Sequence, residues 1–177
     1  MGHTIVAVFS EDDKSTIETI CRNAGIATPN KIPLGKKCDR KAADQVLPYH
    51  ITMVHWAKED DAVCLKNAEE FRFSKDVGNH SVSVTGCGLS TDGTFVYLQV
   101  KPAPDIAALR EELLKEVGGK PSGFWHISLA FDKDREKMER FYQSIKENVT
   151  FPFSLKIDAL EMYHIWKPTK FVSRYKI

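Results

Sequence analysis

Long apolar runs are absent from this chain: nowhere does it approach the roughly 20 consecutive apolar residues that a membrane-spanning helix needs, so no membrane partner is expected. Neither sign of charge dominates. Lys and Arg total 25 against 24 Asp and Glu, a net charge of +1, so there is no global field to draw in long duplex nucleic acid. A nucleic-acid ligand should be short, or an end. Cysteine is sparse as well: Cys21, Cys38, Cys64 and Cys87 are scattered without a CxxC pair, which argues against a zinc site and a disulfide framework alike. Met1 to Phe9 carry neither the basic start nor the apolar stretch of a secretory signal, so the expected address is cytoplasmic. No G-x-S-x-G nucleophile turn occurs, which removes the Ser/His/Asp reading.

What is present fits an ordinary globular chain, with 42% hydrophobic and 28% charged residues over 177 positions. Splitting that length into two independent units would leave each half marginal, so a single domain is expected. His3 to Phe9 read as a strand, Glu11 to about Gly25 as a helix, Tyr49 to Trp56 as a strand and Asp60 to Phe73 as an amphipathic helix. Val82 to Leu89 and Thr94 to Val100 flank a Thr91-Asp92-Gly93 turn, a hairpin signal. Pro102 and Pro104 introduce a helix to about Val117, ended by Gly118-Gly119-Lys120-Pro121-Ser122-Gly123. Phe124 to Phe131 read as a strand, Asp134 to Glu147 as a helix, and Phe153 to Tyr163 and Lys170 to Ile177 as strands. The class is α+β.

Two blocks of this order repeat. Each runs strand, helix, then a pair of strands: the first begins at His50-Ile51-Thr52-Met53, the second at His126-Ile127-Ser128-Leu129. The pseudo-repeats cover roughly 1–101 and 102–177. In a strand, residues i and i+2 share a face, so His50 points with Thr52 and His126 with Ser128, opposite the apolar Ile51, Met53, Ile127 and Leu129. A polar pair on an otherwise apolar strand costs burial free energy unless it lines a cavity. Two such pairs at equivalent places suggest one shared polar groove.

The residue types suit one chemistry. Opening a phosphodiester takes a base for the attacking water and an acid for the leaving oxygen, and imidazole serves both near neutral pH. Hydroxyls of Thr52 and Ser128 can donate to the non-bridging oxygens, and the scheme calls for no metal and no cofactor. His50 and His55, five apart on a straight strand, face opposite sides and cannot chelate one ion. His3, His80 and His164 lack a partner at ligand spacing and read as surface or strand-end residues. The Lys31 to Lys41 run reads as a solvated loop or a phosphate-binding patch. Tyr163, His164, Trp166 and Lys167 form either a packed aromatic corner or a base-stacking contact, and Phe95 and Tyr97 carry the same ambiguity.

The paired H-Φ-[ST]-Φ tetrads, where Φ is apolar, together with the lead-in Leu47-Pro48-Tyr49, resemble the 2H phosphoesterase superfamily of 2′-5′ RNA ligase-like proteins and cyclic phosphodiesterases, over nearly the whole chain. That resemblance implies a bilobal duplicated domain, two antiparallel sheets flanked by helices with a central groove. It also implies catalytic His50 and His126, substrate contacts from Thr52 and Ser128, and a contact in the region of Tyr163. The implied substrate is a nucleotide or short RNA end with a 2′,3′-cyclic, ADP-ribose cyclic or 2′-5′ phosphodiester, handled by a monomer. Two rival expectations stand beside it: a binding module of the same fold without turnover, and a purely structural interaction protein.

Overall fold

The computed structural model describes residues 2–27, 47–72, 80–165 and 170–176. Its elements are β1 (His3–Phe9), α1 (Glu11–Asn23), β2 (His50–Trp56), α2 (Asp61–Glu70), β3 (Ser81–Leu89), β4 (Phe95–Pro102), α3 (Pro104–Glu116), β5 (His126–Phe131), α4 (Arg135–Asn148), β6 (Phe153–His164) and β7 (Lys170–Lys176). Local chemistry accounts for their ends. Ser10 caps α1 by accepting the Asp13 N–H, and Glu11, Asp12 and Asp13 place negative charge at the positive end of the helix dipole. Asp134 caps α4 in the same way through the Lys137 N–H, and Pro104 stands in the first turn of α3, where an N–H would go unused. Gly93 turns the β3–β4 hairpin at φ +69°.

All strand pairings are antiparallel, in the order β2-β1-β6-β3-β4-β5, with β7 also on β6. The α+β class holds, in the form of one seven-stranded sheet whose halves share β6. The first residues of β6 (Phe153 to Lys156) pair with β3, while the rest pair with β1 and β7. Each half of the sheet therefore mixes early and late strands: β6 from the end of the chain adjoins β1, and β4 adjoins β5.

Alternate residues of β1 enter different clusters, which explains why all seven are buried although the sequence reads as an ordinary alternating strand. Ile5, Ala7 and Phe9 join the main core with Ile51, Met53, Leu98, Ile127 and Leu129, and with Ile17, Ala68, Leu113 and Ile145 from the four helices. Val6 and Val8 join a smaller cluster with Ala159, Tyr163 and Ile165, to which no helix among the described residues contributes. Each fully buried Ile or Leu stabilises the main core by about 1.5–3 kcal/mol. The helices are thus committed to one face. Among the described residues no helix is long and apolar enough to cross a membrane.

The sheet also curls. β2 and β5 stand at opposite ends of the strand order yet touch. An isolated bridge ties β2 to the approach of β5: His55 N–H donates to the Lys120 carbonyl at 2.9 Å and Lys120 N–H to the His55 carbonyl at 2.8 Å. Gly119 makes this possible, since at φ +87° an added Cβ would lie 2.8 Å from the His55 oxygen.

Candidate active site

Both tetrads open edge strands, His50 beginning β2 and His126 beginning β5. They share an irregularity. Val6 pairs with Thr52 and Ile5 with Val54, leaving Met53 as an extra residue; Tyr97 pairs with Ser128 and Val96 with Ala130, leaving Leu129 extra. Each tetrad therefore ends on a β-bulge at its fourth position, a device that bends an edge strand and re-aims its side chains. Ile51, Met53, Ile127 and Leu129 are fully buried in the main core, as strand alternation predicts.

The bulge corrects one expectation. Past Met53 the core face continues through Val54 and Trp56, so His55 returns to the side of His50 rather than opposing it. What keeps those two rings from one ion is distance along the strand, about 16 Å for five residues.

The two histidines are held identically. His50 Nδ1 lies 2.7 Å from the Pro48 carbonyl and His126 Nδ1 lies 3.0 Å from the Phe124 carbonyl, each two residues back. A carbonyl only accepts, so Nδ1 carries the proton and donates in both rings. Nε2 is then the free basic nitrogen of each, and neither Nε2 is hydrogen-bonded among the described residues.

Burial sets their charge. His50 is 8% exposed, and desolvation lowers its pKa to about 4, against the opposing pull of the Pro48 carbonyl and with a further lowering from His126. His126 is lowered too, first by burial, while the Phe124 carbonyl opposes and the Arg110 guanidinium adds to the shift. The strands that carry the two rings touch, and His126 adds to the lowering at His50. Thr52 and Ser128 are half-buried beside them, and their hydroxyls make no hydrogen bond among the described residues. The arrangement brings together two uncharged imidazoles and two free hydroxyls, a set able to exchange two protons and donate to an anion.

The two histidines have different surroundings. Around His126 stand Phe124 at 4.4 Å between ring centroids, Phe95 at 5.5 Å and Tyr97 at 5.9 Å. Phe124 is 48% exposed. Tyr97 can lie over β3 only because Gly88 lacks a side chain, as an added Cβ would sit 2.4 Å from the Tyr97 Cζ. On the His50 side the neighbouring strand offers Val6 and Val8.

Tyr163 packs in the cluster that holds Val6 and Val8. Its hydroxyl donates to Glu161 at 2.5 Å, and it is buried two strands away from β2. Trp166, Lys167, Cys38 and the Lys31 to Lys41 run lie outside the described residues. His3 and His80 are not surface residues: both are buried, with Nδ1 against Asp61 at 2.5 Å and Asp105 at 2.8 Å. These buried imidazoles meet carboxylates that no local spacing announces.

Two residues of the site escape sequence reasoning. Phe124 reads there only as the start of a strand. Arg110 falls within the helix expected up to about Val117 and is not singled out there, although its place on the Ile106, Leu109, Leu113 stripe is an available signal. It is buried, its Nη2 donates to the Thr52 carbonyl at 2.7 Å, and its guanidinium carbon lies 3.3 Å from the centroid of the Trp125 ring.

A pair of histidine tetrads on the facing edges of one antiparallel sheet is the arrangement of a two-histidine phosphoesterase. The family model of the 2′-5′ RNA ligase superfamily matches residues 35–166, and the chain belongs to that superfamily. Its fold is shared with E. coli LigT complexed with ATP (TM-score 0.56, 14% identity, covering 99% of this chain and 96% of that one). It is shared equally with E. coli LigT complexed with 3′-AMP (TM-score 0.57, 13% identity, 99% and 97%). TT0787 of Thermus thermophilus is similar as well (TM-score 0.57, 11% identity, 99% and 97%). Comparison with curated protein sequences gives no significant match.

Proposed function

We propose that this chain is a metal-independent phosphodiesterase acting on 2′,3′-cyclic or 2′-5′ phosphodiester bonds of nucleotides or RNA ends. The observation that carries the reading is the matched pair of histidines on two touching strands, each donating Nδ1–H to the carbonyl two residues back and each leaving Nε2 free of hydrogen bonds among the described residues.

In a cyclic substrate His50 Nε2 takes a proton from water, the water oxygen bonds to phosphorus, and the bond from phosphorus to one ribose oxygen breaks. His126, which must first take up a second proton on Nε2 to become the imidazolium, delivers that proton to the oxygen. His50 is assigned the base because it is the more deeply buried ring and stays unprotonated down to about pH 4; His126, the more accessible, is assigned the acid. Thr52 and Ser128 donate to the non-bridging oxygens as charge builds there. The rings of Phe124, Tyr97 and Phe95 favour a substrate with a base to stack, each stack contributing about 1–3 kcal/mol. The E. coli LigT structures complexed with ATP and 3′-AMP are in keeping with a nucleotide ligand.

The test is turnover of 2′,3′-cyclic nucleotides and 2′-5′ dinucleotides with excess chelator present. Hydrolysis unaffected by chelator supports the proposal. Activity lost to chelator and restored by one divalent ion overturns the metal-free scheme, and silence across the screen favours a binding module. The pH dependence follows from the same groups: a neutral base and a protonated acid give a bell-shaped kcat/KM whose limbs belong to the pair. With His50 at about 4 and His126 lowered from 6.5, the optimum should lie between those values.

A further inference from the structure

Arg110 is hard to explain as a contributor to stability. It is 5% exposed, and burial lowers its pKa to about 10. Its Nε is buried with no hydrogen-bond partner. Among the described residues no carboxylate forms an ion pair with it. A buried cation so poorly matched costs free energy that an apolar side chain of the same length would not. Yet what it does touch is specific. Nη2 holds the backbone carbonyl of Thr52, inside the first tetrad, and the guanidinium carbon sits over the ring of Trp125, the residue immediately before His126.

We infer that Arg110 is a positioning residue that clasps the two histidine strands to each other and keeps a desolvated positive charge beneath the groove for an anionic phosphodiester. One contact falls on β2 and the other at the entry of β5, so a single planar group fixes the separation of the tetrads from behind. The His55–Lys120 bridge joins β2 to the approach of β5 farther along. A guanidinium suits the task because it donates in its plane while stacking through its face, and the cation–ring contact is strongest when dry. The catalytic consequence rests on the phosphodiesterase proposal; the electrostatic one does not. Among the described residues, the charged or titratable groups around His126 are Arg110 from α3, His50 from β2 and Tyr97 from β4. Removing the positive charge should therefore raise the His126 pKa.

The experiment compares Arg110→Met, which keeps length and volume, with Arg110→Lys, which keeps charge. The His126 ring is titrated by NMR in both and in the parent protein. The same proteins are assayed for kcat and KM against pH on a 2′,3′-cyclic nucleotide, with thermal melts to confirm folding. For Arg110→Met the His126 titration should move up, and the alkaline limb of kcat/KM should follow it. KM should rise and kcat at the optimum should fall, roughly tenfold or more for one lost contact to a charged group. Arg110→Lys should keep the His126 titration near its original position and recover part of the KM. If the His126 titration is unchanged in Arg110→Met, or if Met supports turnover as well as Lys, the residue is packing material and the inference fails. A parent protein inactive on every diester would defeat the phosphodiesterase proposal alone, because the NMR titration still reads the charge of Arg110 at His126.

Discussion

Below pH 6.5 His50 should become a source of instability. Its folded pKa is about 4 because its ring is desolvated, whereas the unfolded value is near 6.5. Between those values the unfolded chain binds a proton that the folded chain refuses, so stability falls as pH falls through the window, and the effect vanishes above it. Linkage gives a loss of about 2 kcal/mol at pH 5 and about 3 kcal/mol at pH 4, set against a typical total of about 5–15 kcal/mol. The assay is urea unfolding at pH 7 and pH 5 for the parent protein and for His50→Asn, whose amide can still donate to the Pro48 carbonyl. All other titrating groups are common to both proteins, so their difference isolates His50. The variant should lose about 2 kcal/mol less on acidification. Equal losses would mean that the ring is solvated, and the assignment of His50 as a buried, neutral base would go with it.

Replacing His50 or His126 by Ala should each cut turnover by roughly 10²–10⁴-fold, with the double variant costing less than the product of the two because the pair acts as a unit; full turnover by either single variant would refute the scheme. Thr52→Ala and Ser128→Ala should each weaken phosphate binding and turnover by about 1–3 kcal/mol, read from kcat/KM on one cyclic nucleotide. Phe124→Ala should raise KM for base-bearing cyclic phosphates by an amount within about 1–3 kcal/mol and leave a base-free cyclic phosphate unchanged; an equal effect on both would show that Phe124 does not stack. Gly88→Ala should act through Tyr97, whose ring must move from under the new methyl group; a crystal structure with Tyr97 unmoved would contradict that crowding.

Sequence alone determined the elements and the pairs that carry chemistry. Caps at Ser10 and Asp134, the Gly93 turn and the alternation of His50 with Thr52 and His126 with Ser128 are local facts, set by hydrogen bonds and periodicities that span a few residues. The tetrads were legible because strand period fixes which side chains point together, whatever the rest of the chain does. Three things were decided only by the tertiary structure. Register placed an extra residue at Met53 and at Leu129 and so returned His55 to the side of His50. Pairing of β6 with both β1 and β3 joined the halves into one sheet, a choice between edges that lie far apart in the chain. Arg110 acquired its contacts when the curl of that sheet brought Thr52 and Trp125 within reach of one guanidinium. The physical reason is common to all three: a side chain's direction follows from its own strand or helix, but its partners depend on which distant edges meet.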